Sequence, residues 1–600
     1  MVKLTINNMP VAVDDGTTIL EAAKTVGIMI PHLCYLKGIN NIGACRICSV
    51  EVEGELSLVP SCNTVVREGM KVTTNSALVR SACRTNLMLI MSQHEGRCSL
   101  CDRSGTCQLQ KLTNDYDFFE NLYVTDLPEE RDRMWVKDFP LFRDPAKCIK
   151  CMRCIQVCDK IQKLGIWEMT STGGRSRVDV SQHRRIDESQ CSLCGQCIVH
   201  CPTGALRERK DATKVMDAID DPEIITVAQV APAVRTAWGE ELGMPPDVAT
   251  VNKLAGALKQ MGFDYVFDTS FSADLTIMEE ASEFLARWQK GDLEKYPMFT
   301  SCCPAWVRFC KSRYPELVEQ LSTSKSPQQM FGAVVKSYFA SKIGVPPEKI
   351  CCVSIMPCVS KKAECELPTM RDEKGVKDVD YALTTREIVH MLRICDVAPA
   401  DIKEQPFDRI MQDYTGAGVI FGTTGGVLEA ALRTASYMVT GKNPSTGAFG
   451  FVRTDTRFLP EDKPWQEATY TIAGNKFHVA VASGLANADK LCKALTRGQV
   501  KYDFVEIMAC PTGCSGGGGQ PFHRDDVERG AARGKVLRNI DENMKIRFSH
   551  ENVDVQRLYD EMLGEPLSEK AEEILHTDHF GWTMPDEHPV HGPVREQKEF

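Results

Sequence analysis

Met508-Ala-Cys-Pro-Thr-Gly-Cys-Ser-Gly-Gly-Gly-Gly-Gln-Pro521 sets two cysteines, Cys510 and Cys514, in a run that contains five glycines. Thiolates are soft ligands suited to iron–sulfur clusters. Glycine has no Cβ and tolerates positive φ, so it lets backbone come close to a bulky inorganic group. The mostly apolar run 504–509 predicts a buried strand that delivers the first cysteine. This pair alone only suggests a cluster site, and two upstream loops strengthen it.

The two upstream loops are Thr300-Ser-Cys-Cys-Pro-Ala-Trp306 and Met356-Pro-Cys-Val-Ser-Lys361, and each follows a short, mainly apolar segment. Together the three loops resemble the active-site signatures of FeFe-hydrogenases. Members of that family hold an H-cluster, in which a 4Fe–4S cubane is joined through one cysteine to a two-iron centre. The alternative interpretation is a scatter of buried structural cysteines.

The resemblance implies a ligand set and a proton donor. The cubane ligands would be Cys303, Cys358, Cys510 and Cys514, and Cys514 would bridge to the two-iron centre. That centre would carry carbonyl, cyanide and azadithiolate ligands. Cys302 would donate a proton beside the amine of the dithiolate.

The resemblance also implies a route for protons to Cys302. Glu280 and Glu283 lie three residues apart on one face of a predicted helix, and Arg287 follows a turn later. Ser322 and water would connect the carboxylates to the cysteine. Burial should raise the pKa values of both carboxylates toward neutrality, which suits a reversible relay. Spacing alone would indicate a solvated helix surface, so the motif Thr-Ile-Met-Glu-Glu-Ala carries this assignment.

Further residues are implied as contacts of the two-iron centre. Lys361, a point charge with three donors, would hold one cyanide, and Ser326 with the backbone of Ala231 and Pro232 would hold the other. The remaining contacts would be made near the carbonyls or at the pocket wall by Gln328, Met356, Met508 and Phe421. For the two methionines, ordinary core packing is the alternative.

An N-terminal module is expected over residues 1–78. Its opening alternation and the Asn7-Asn8 pair predict a β-hairpin, and a helix follows from about residue 18 to 26. Four cysteines then occur at C-x10-C-x2-C-x13-C spacing: Cys34, Cys45, Cys48 and Cys62. This module resembles the 2Fe–2S β-grasp domain of plant-type ferredoxins and large dehydrogenases. A zinc site is the alternative for this segment.

Residues 79–125 resemble a 4Fe–4S module ligated by one histidine and three cysteines. The pattern is His94-x3-Cys98-x2-Cys101-x5-Cys107. Imidazole in place of thiolate makes a cluster less negative and raises its potential. A surface or core histidine is the alternative for His94.

Residues 126–210 contain a repeat with the pattern of bacterial two-cluster ferredoxins, in which the fourth cysteine of each run serves the other cluster. The two predicted ligand sets are Cys148, Cys151, Cys154 and Cys201, and Cys191, Cys194, Cys197 and Cys158. The insert 173–186 between the runs is expected to be a solvated loop.

Residues 211–535 are expected to form the H-cluster core. Apolar strands alternate with helical segments, which predicts an α/β core of two lobes with mainly parallel sheets, preceded by the α+β iron–sulfur modules. One lobe should run to about residue 350 with a late return, and the other should span about 351–515. Residues 536–600 resemble the family's small-subunit-like segment, and 578–600, with three histidines, should be a solvated, mobile or partner-facing end.

Composition restricts the function and location. The chain has 600 residues and a net charge of −10, which argues against a nucleic-acid partner. It has no apolar run long enough to span a membrane and no signal pattern, so a cytoplasmic location is expected. Its 27 cysteines are an odd number, and they cluster in CxxC spacings that indicate metal ligation rather than disulfides.

The leading interpretation is an FeFe-hydrogenase that interconverts H2 with protons and electrons and needs maturation proteins. Its clusters would be one 2Fe–2S, three accessory 4Fe–4S and the H-cluster. One alternative is an H2 sensor with low turnover, although sensors tend to lose the cysteine found here at 302. Another is a cluster-scaffold protein, which lacks the full set of loops and accessory motifs. Nicotinamide and flavin would sit on partner subunits, because Gly416-Ala-Gly418 lacks a dinucleotide fingerprint. Ferredoxin is the other candidate partner.

Overall fold

The computed structural model describes residues 1–117, 123, 135–173, 176–445, 447–453, 459–522 and 529–585. Within these ranges, no helix is long and apolar enough to cross a membrane. The predicted junction near residue 125 and the end of the tail, 586–600, lie outside the described residues.

The N-terminal module is a five-stranded sheet with a helix packed against it. Asn7 and Asn8 have φ values of 48° and 66°, as a two-residue type I′ hairpin turn requires. The Thr18 hydroxyl caps the helix by accepting from the backbone of Glu21. The strand order is β2-β1-β5-β3-β4. Its elements are β1 (Val2–Ile6), β2 (Met9–Val13), α1 (Ile19–Thr25), β3 (Ser49–Val52), β4 (Val59–Pro60) and β5 (Lys71–Thr73).

The middle modules are mainly loops held by short elements. These are α2 (Ala77–Met91), α3 (Gln108–Asp115), β6 (Leu141–Arg143), α4 (Arg153–Gln156), β7 (Trp167–Thr170), β8 (Arg177–Val180), α5 (Gln196–Val199) and β9 (Leu206–Glu208). Strands β6 and β9 pair antiparallel, as do β7 and β8. The expected solvated loop at 173–186 is therefore wrong in part, since β8 buries Val178 and Val180 against the module core.

The remaining elements form the large core and the C-terminal segment. In chain order they are α6 (Ala212–Ile219), β10 (Ile225–Val230), α7 (Val251–Gln260), β11 (Tyr265–Asp268), α8 (Ser270–Lys290), β12 (Met298–Phe299), α9 (Pro304–Arg313), α10 (Pro327–Val334), α11 (Ala340–Ile343), β13 (Ile350–Met356), α12 (Ser360–Glu364), β14 (Tyr381–Thr384), α13 (Thr385–Ile394), α14 (Gly416–Ile420), α15 (Gly426–Thr440), β15 (Gln466–Ile472), β16 (Asn475–Ser483), α16 (Leu485–Thr496), β17 (Phe504–Met508), β18 (Pro511–Cys514), α17 (Gly530–Asn543), α18 (Val553–Leu558) and α19 (Glu569–Leu575).

Two four-stranded sheets organise this core. The first has the order β11-β10-β13-β14, and all of its strands are parallel. Every residue of β13 is buried, which matches the continuous apolar run expected of a parallel strand covered on both faces. The second sheet has the order β12-β17-β16-β15, in which β15 and β16 form an antiparallel hairpin and the other pairs are parallel.

The predicted division of the core near residue 350 is wrong. Strands β13 and β14 belong to the same sheet as β10, whereas β12 joins the late strands β16 and β17. Each sheet thus takes strands from both sides of the expected boundary. The reason is that helix α8 follows β11 and packs against α10, α14 and α15, which carries the chain from one sheet to the other.

The start of the expected solvated tail is also wrong where it is described. His579 is only 8% exposed, and its Nε2 lies 2.7 Å from the backbone oxygen of Ser322. Trp582 receives Lys311 over its ring, with the ammonium 4.3 Å from the ring centroid. Thr577, His579 and Trp582 therefore pack on the core, whereas Phe580 is exposed.

Candidate active site

Three loops from the two sheets meet around one cavity. Strand β12 ends at Phe299 and leads to Cys302 and Cys303, while β13 leads to Cys358. Strand β17 ends at Met508 and leads to the last pair of cysteines. The cavity is lined by all four predicted cubane ligands, Cys303, Cys358, Cys510 and Cys514. Ligands 211 residues apart in the chain thus lie on one wall, at the ends of strands, where open α/β folds place their sites.

The donor chemistry of this cavity fits a metal cluster. Burial raises the pKa of the Cys510 thiol, and the charges of Cys358, Cys303 and Cys514 raise it further. Burial and the charges of Cys303 and Cys358 likewise raise the pKa of Cys514. Four converging thiols are hard to ionise in an apolar cavity on their own, and a bound cation reverses this because it stabilises thiolates. The residues present therefore suit an iron–sulfur cubane.

The glycine run is explained by crowding between backbones. A Cβ on Gly519 would lie 2.6 Å from the amide nitrogen of Cys358, and one on Gly517 would overlap the Pro357 carbonyl. A Cβ on Gly518 would lie 2.5 Å from the Cα of Gly195. The sequence suggested close approach to an inorganic group, but the neighbours of these glycines are the other cysteine loops.

The rest of the cavity is lined by most of the predicted contacts of the two-iron centre. They are Ala231, Pro232, Cys302, Gln328, Met356, Lys361, Phe421 and Met508. The cavity wall is almost wholly apolar apart from Thr269, Gln328, Lys361 and the thiols. Such a wall excludes water and strengthens each electrostatic contact inside it.

Sequence reasoning missed Glu364, which organises the polar edge of the cavity. The Lys361 ammonium donates to Glu364 at 2.9 Å and to the Cys302 carbonyl at 3.1 Å. The Ser326 hydroxyl and the Gln328 amide also donate to the Glu364 carboxylate, at 2.9 and 3.0 Å. Ser326 thus points to Glu364 and does not line the cavity. The available signal was the three-residue spacing of Lys361 and Glu364 on α12.

The predicted proton residues lie in line behind Cys302. Burial, followed by the charge of Glu280, raises the pKa of the Cys302 thiol, so the two groups are close. Neither carboxyl oxygen of Glu280 has a hydrogen-bond partner among the described residues. Burial raises the pKa of Glu280 to about 8, with further contributions from Glu283 and Glu506. Glu280 is therefore a neutral carboxylic acid near neutral pH, at a distance from which its charge still acts on the Cys302 thiol.

The outer part of this line is hydrogen-bonded. The Ser322 hydroxyl donates to Glu283 at 2.7 Å, and Arg287 donates to the same carboxylate at 2.6 Å. The side chain of Arg287 is 17% exposed, whereas that of Glu283 is 8% exposed. The line therefore runs from the cavity towards the protein surface.

The N-terminal cysteines also converge. The thiols of Cys34 and Cys45, of Cys34 and Cys62, and of Cys48 and Cys62 lie within hydrogen-bonding reach of one another. This close packing of four thiols is suited to a small metal centre.

The ferredoxin-like repeat brings together thiols from both runs. After burial, the charges of Cys151, Cys148 and Cys201 raise the pKa of Cys154. In the other run, burial and the charges of Cys191 and Cys158 raise the pKa of Cys197. One small cavity is lined by Cys148, Cys151, Cys154 and Cys201, and another by Cys158, Cys191, Cys194 and Cys197, so the fourth cysteine of each run lies with the first three of the other.

The remaining accessory set consists of His94, Cys98, Cys101 and Cys107. Burial lowers the pKa of His94, which favours the neutral imidazole that binds metals. Its Nδ1 is buried and has no hydrogen-bond partner among the described residues. Burial raises the pKa of Cys107, and the charge of Cys101 adds to this effect. The sulfur of Cys101 lies 2.5 Å from the position that a Cβ on Gly204 would take. The histidine and two of its cysteines thus lie against the ferredoxin-like repeat.

Comparison with known proteins identifies the family. Residues 224–518 match the model of the iron-only hydrogenase large subunit, C-terminal domain. The chain is 43% identical over 593 residues to the NADP-reducing hydrogenase subunit HndD of Solidesulfovibrio fructosivorans, covering 97% of this chain and 99% of that protein. The chain belongs to the iron-only hydrogenase family. It is a hydrogenase with accessory iron–sulfur domains, carrying the FeFe-hydrogenase fold that holds an H-cluster.

Other matches extend along the hydrogenase. Iron hydrogenase 1 of Clostridium pasteurianum is 37% identical, covering 96% of this chain and 99% of that protein. An apo FeFe-hydrogenase, HydA1, from Chlamydomonas reinhardtii is 38% identical and aligns with a TM-score of 0.55, covering 63% of this chain and 100% of that one.

Four further family models match outside the large-subunit domain. They describe a 2Fe–2S cluster binding domain (1–77), the NADH-ubiquinone oxidoreductase-G iron-sulfur binding region (84–121), a 4Fe–4S dicluster domain (147–205) and the iron hydrogenase small subunit (527–582). The first match favours 2Fe–2S over the zinc alternative.

The first two accessory modules of the hydrogenase pack against each other, and both contact the ferredoxin-like repeat. The Asn40 amide donates to the carbonyls of Cys34 and Cys151, at 2.7 and 2.9 Å, which joins the first and third modules. The guanidinium of Arg103 donates to the Cys201 carbonyl at 2.7 Å and so joins the second module to the same repeat. Cys194 of the repeat lines the active-site cavity. Both outer modules thus meet the repeat, and the repeat meets the cavity.

Proposed function

We propose that Cys303, Cys358, Cys510 and Cys514 hold the cubane of the H-cluster, and that Cys514 bridges to its two-iron centre. The observation that carries this proposal is that four thiols from three remote loops line one apolar cavity. The bound H-cluster supplies the open iron position and the redox chemistry of H2. The residues of the chain supply its cage, its protons and its electron route.

Lys361 and the apolar wall prepare this cage for an anionic cofactor. The Lys361 ammonium is buried, and burial lowers the pKa of this amine, but the charge and hydrogen bond of Glu364 together with the charges of Cys358 and Cys302 raise it above its ordinary value. The ammonium contacts the Cys302 carbonyl and both carboxyl oxygens of Glu364, so a cyanide-type acceptor would take over one of these three contacts. Met356, Met508 and Phe421 exclude water from the same space, while the Ala231-Pro232 backbone and Gln328 line the opposite edge.

We further propose that protons pass between solvent and Cys302 through Arg287, Glu283, Ser322 and Glu280. The pKa of Glu280 is about 8, which suits a group that gives a proton near neutral pH and takes one back. The carboxyl oxygens of Glu280 make no hydrogen bond to a described residue, and a water bonded to them would connect Glu280 with Ser322 and Cys302. Protons released by H2 oxidation would pass through the same residues in the reverse order.

Electrons would cross the accessory clusters in the order of module contacts. One 2Fe–2S cluster and three 4Fe–4S clusters are proposed, ligated by the four sets of cysteines with His94. The last electron transfer would run from the cubane of Cys191, Cys194, Cys197 and Cys158 to the H-cluster, because Cys194 lines the active-site cavity. The matured chain should then contain about 20 iron atoms, which metal analysis can count.

The proposed electron partner is a flavin- and NAD(P)-binding subunit in the same cytoplasmic complex. The support is the name of the relative that matches over nearly its full length, an NADP-reducing hydrogenase subunit. Ferredoxin is the second candidate. Purification of the tagged chain from its native host tests this choice: co-purifying flavin subunits would support the complex, and a lone chain that accepts electrons from ferredoxin would contradict it. An H2 sensor is not supported, since the closely related proteins named above are hydrogenases.

A further inference from the structure

Glu283 has more hydrogen-bond partners than a route through Arg287 and Ser322 requires. The backbone amide of Thr323 donates to both Glu283 carboxyl oxygens, at 3.1 and 3.2 Å. The Thr323 hydroxyl lies 3.1 Å from Oε1 of the same carboxylate. That hydroxyl also lies 2.8 Å from Nδ1 of His576, a residue that follows α19 in the C-terminal segment.

The chain of contacts continues beyond the imidazole. Nε2 of His576 lies 3.1 Å from Oε2 of Glu279, which is fully buried on α8. Glu279 also accepts from the Tyr559 hydroxyl and from the backbone amide of Leu567. The side chain of His576 is 8% exposed, so solvent reaches this chain at the imidazole and not at Glu279.

The number of protons on His576 decides to which group the Thr323 hydroxyl donates. The Thr323 hydroxyl has one proton and two acceptors within reach, Nδ1 of His576 and Oε1 of Glu283. When the imidazole is neutral and Nε2 donates to Glu279, Nδ1 accepts a hydrogen bond from the Thr323 hydroxyl. The hydroxyl then has no proton left to donate to Glu283. With one more proton on the imidazole, Nδ1 donates to the hydroxyl oxygen and the hydroxyl donates to Glu283.

We propose that His576 passes protons to Glu283 through the Thr323 hydroxyl, which gives the relay a second opening beside Arg287. This rests on the proposed role of Glu283. In the transfer, the Nδ1–H bond of the imidazolium breaks as a bond to the Thr323 oxygen forms. The hydroxyl proton of Thr323 moves to Glu283. Because Nδ1 and Nε2 of His576 both face protein groups, the neutral imidazole regains its proton from a hydronium ion of the solvent after its ring turns one nitrogen outward. His576 is a positioning residue, because it acts through Thr323 and never touches the cofactor.

Turnover of single and double variants tests whether two openings feed one carboxylate. Thr323→Val removes the hydroxyl but keeps the two backbone bonds to Glu283, and Thr323→Ser keeps the hydroxyl. H2 evolution and oxidation are measured on the full matured chain, with infrared spectra to show that the cofactor is intact. Thr323→Val and His576→Asn should each lower turnover by ~2–10-fold, less than the full effect of a lost proton donor. Thr323→Ser should keep the wild-type rate.

Combining these changes with Arg287→Ala gives the decisive comparison. With parallel openings, Arg287→Ala alone is a partial loss, and Arg287→Ala with Thr323→Val falls to the level of Glu283→Gln. Ser568→Ala is the control, since it removes the cap of α19 and weakens the same segment without touching the relay. It should keep its turnover.

Three results would overturn the inference. In the first, adding Thr323→Val changes turnover neither in the wild type nor in Arg287→Ala. In the second, turnover of Thr323→Ser is as low as that of Thr323→Val, which would indicate a packing effect. Ser568→Ala could be as slow as His576→Asn, which would indicate loss of the segment. Full turnover in Glu283→Gln would instead remove the whole proposed relay, so the two failures can be told apart.

Discussion

Gly518→Ala tests the contact between the last accessory cluster loop and the active site. Gly518 does not have a positive φ, so alanine is allowed there by its own backbone. Its Cβ, however, would lie 2.5 Å from the Cα of Gly195 and would overlap the Cys194 carbonyl. Carbon atoms in contact need about 3.5 Å, so the two loops must separate by roughly 1 Å. Overpacking of this kind costs about 1–3 kcal/mol.

The expected result has two parts. The thermal midpoint of the matured chain should fall by about 1–2 °C, because 600 residues have an unfolding entropy of about 1.3 kcal/mol/K. Electron transfer into the active site should slow because Cys194 moves away from Cys510. Turnover with a reduced dye and with the physiological partner, followed beside infrared spectra, measures the second part. Gly447→Ala is the matched control, because a Cβ there meets only open space. Equal stability and turnover in the two variants would refute the packing argument.

Three further changes test separate parts of the site. The pKa of Glu280 is about 8 in the folded chain, against an ordinary value of 4.5. Between these two pH values the folded chain keeps a proton that the unfolded chain releases, so the free energy of unfolding falls as pH rises, by at most about 5 kcal/mol. Glu280→Gln should flatten that slope in chemical denaturation, and an unchanged slope would contradict it. Cys302→Ala should leave the infrared bands of the cofactor in place while turnover falls by ~100-fold or more; unchanged H2 evolution would remove its proton role. His94→Cys should lower the potential of one accessory cluster in a redox titration, and an unshifted set of potentials would exclude His94 as a ligand.

The sequence was most informative where ligand spacing is short or repeated. The two CxxCxxCxxxC runs predicted which fourth cysteine lies beside which set, because the pattern itself encodes the exchange of Cys158 and Cys201. Strands such as β10 and β13 were also predictable, since their residues are mostly apolar.

Long-range arrangement was less predictable. The pairing of β12 with β17 depends on packing around α8, and no local pattern announces it. Glu364 and Thr323 were missed because each looks like an ordinary polar residue until the fold brings its partners near. His576 lies in a segment read only by likeness, and its neighbour His579 was wrongly expected to be solvated.

The most direct test of the central claim compares the infrared spectrum of the matured chain with that of Cys514→Ala. Cys514 is proposed to join the cubane to the two-iron centre, so the wild type should show carbonyl and cyanide bands that Cys514→Ala loses while its accessory clusters remain. Cys492→Ala removes a buried thiol outside every ligand set and should keep the bands. Full-strength bands in Cys514→Ala, or none in the matured wild type, would contradict the account.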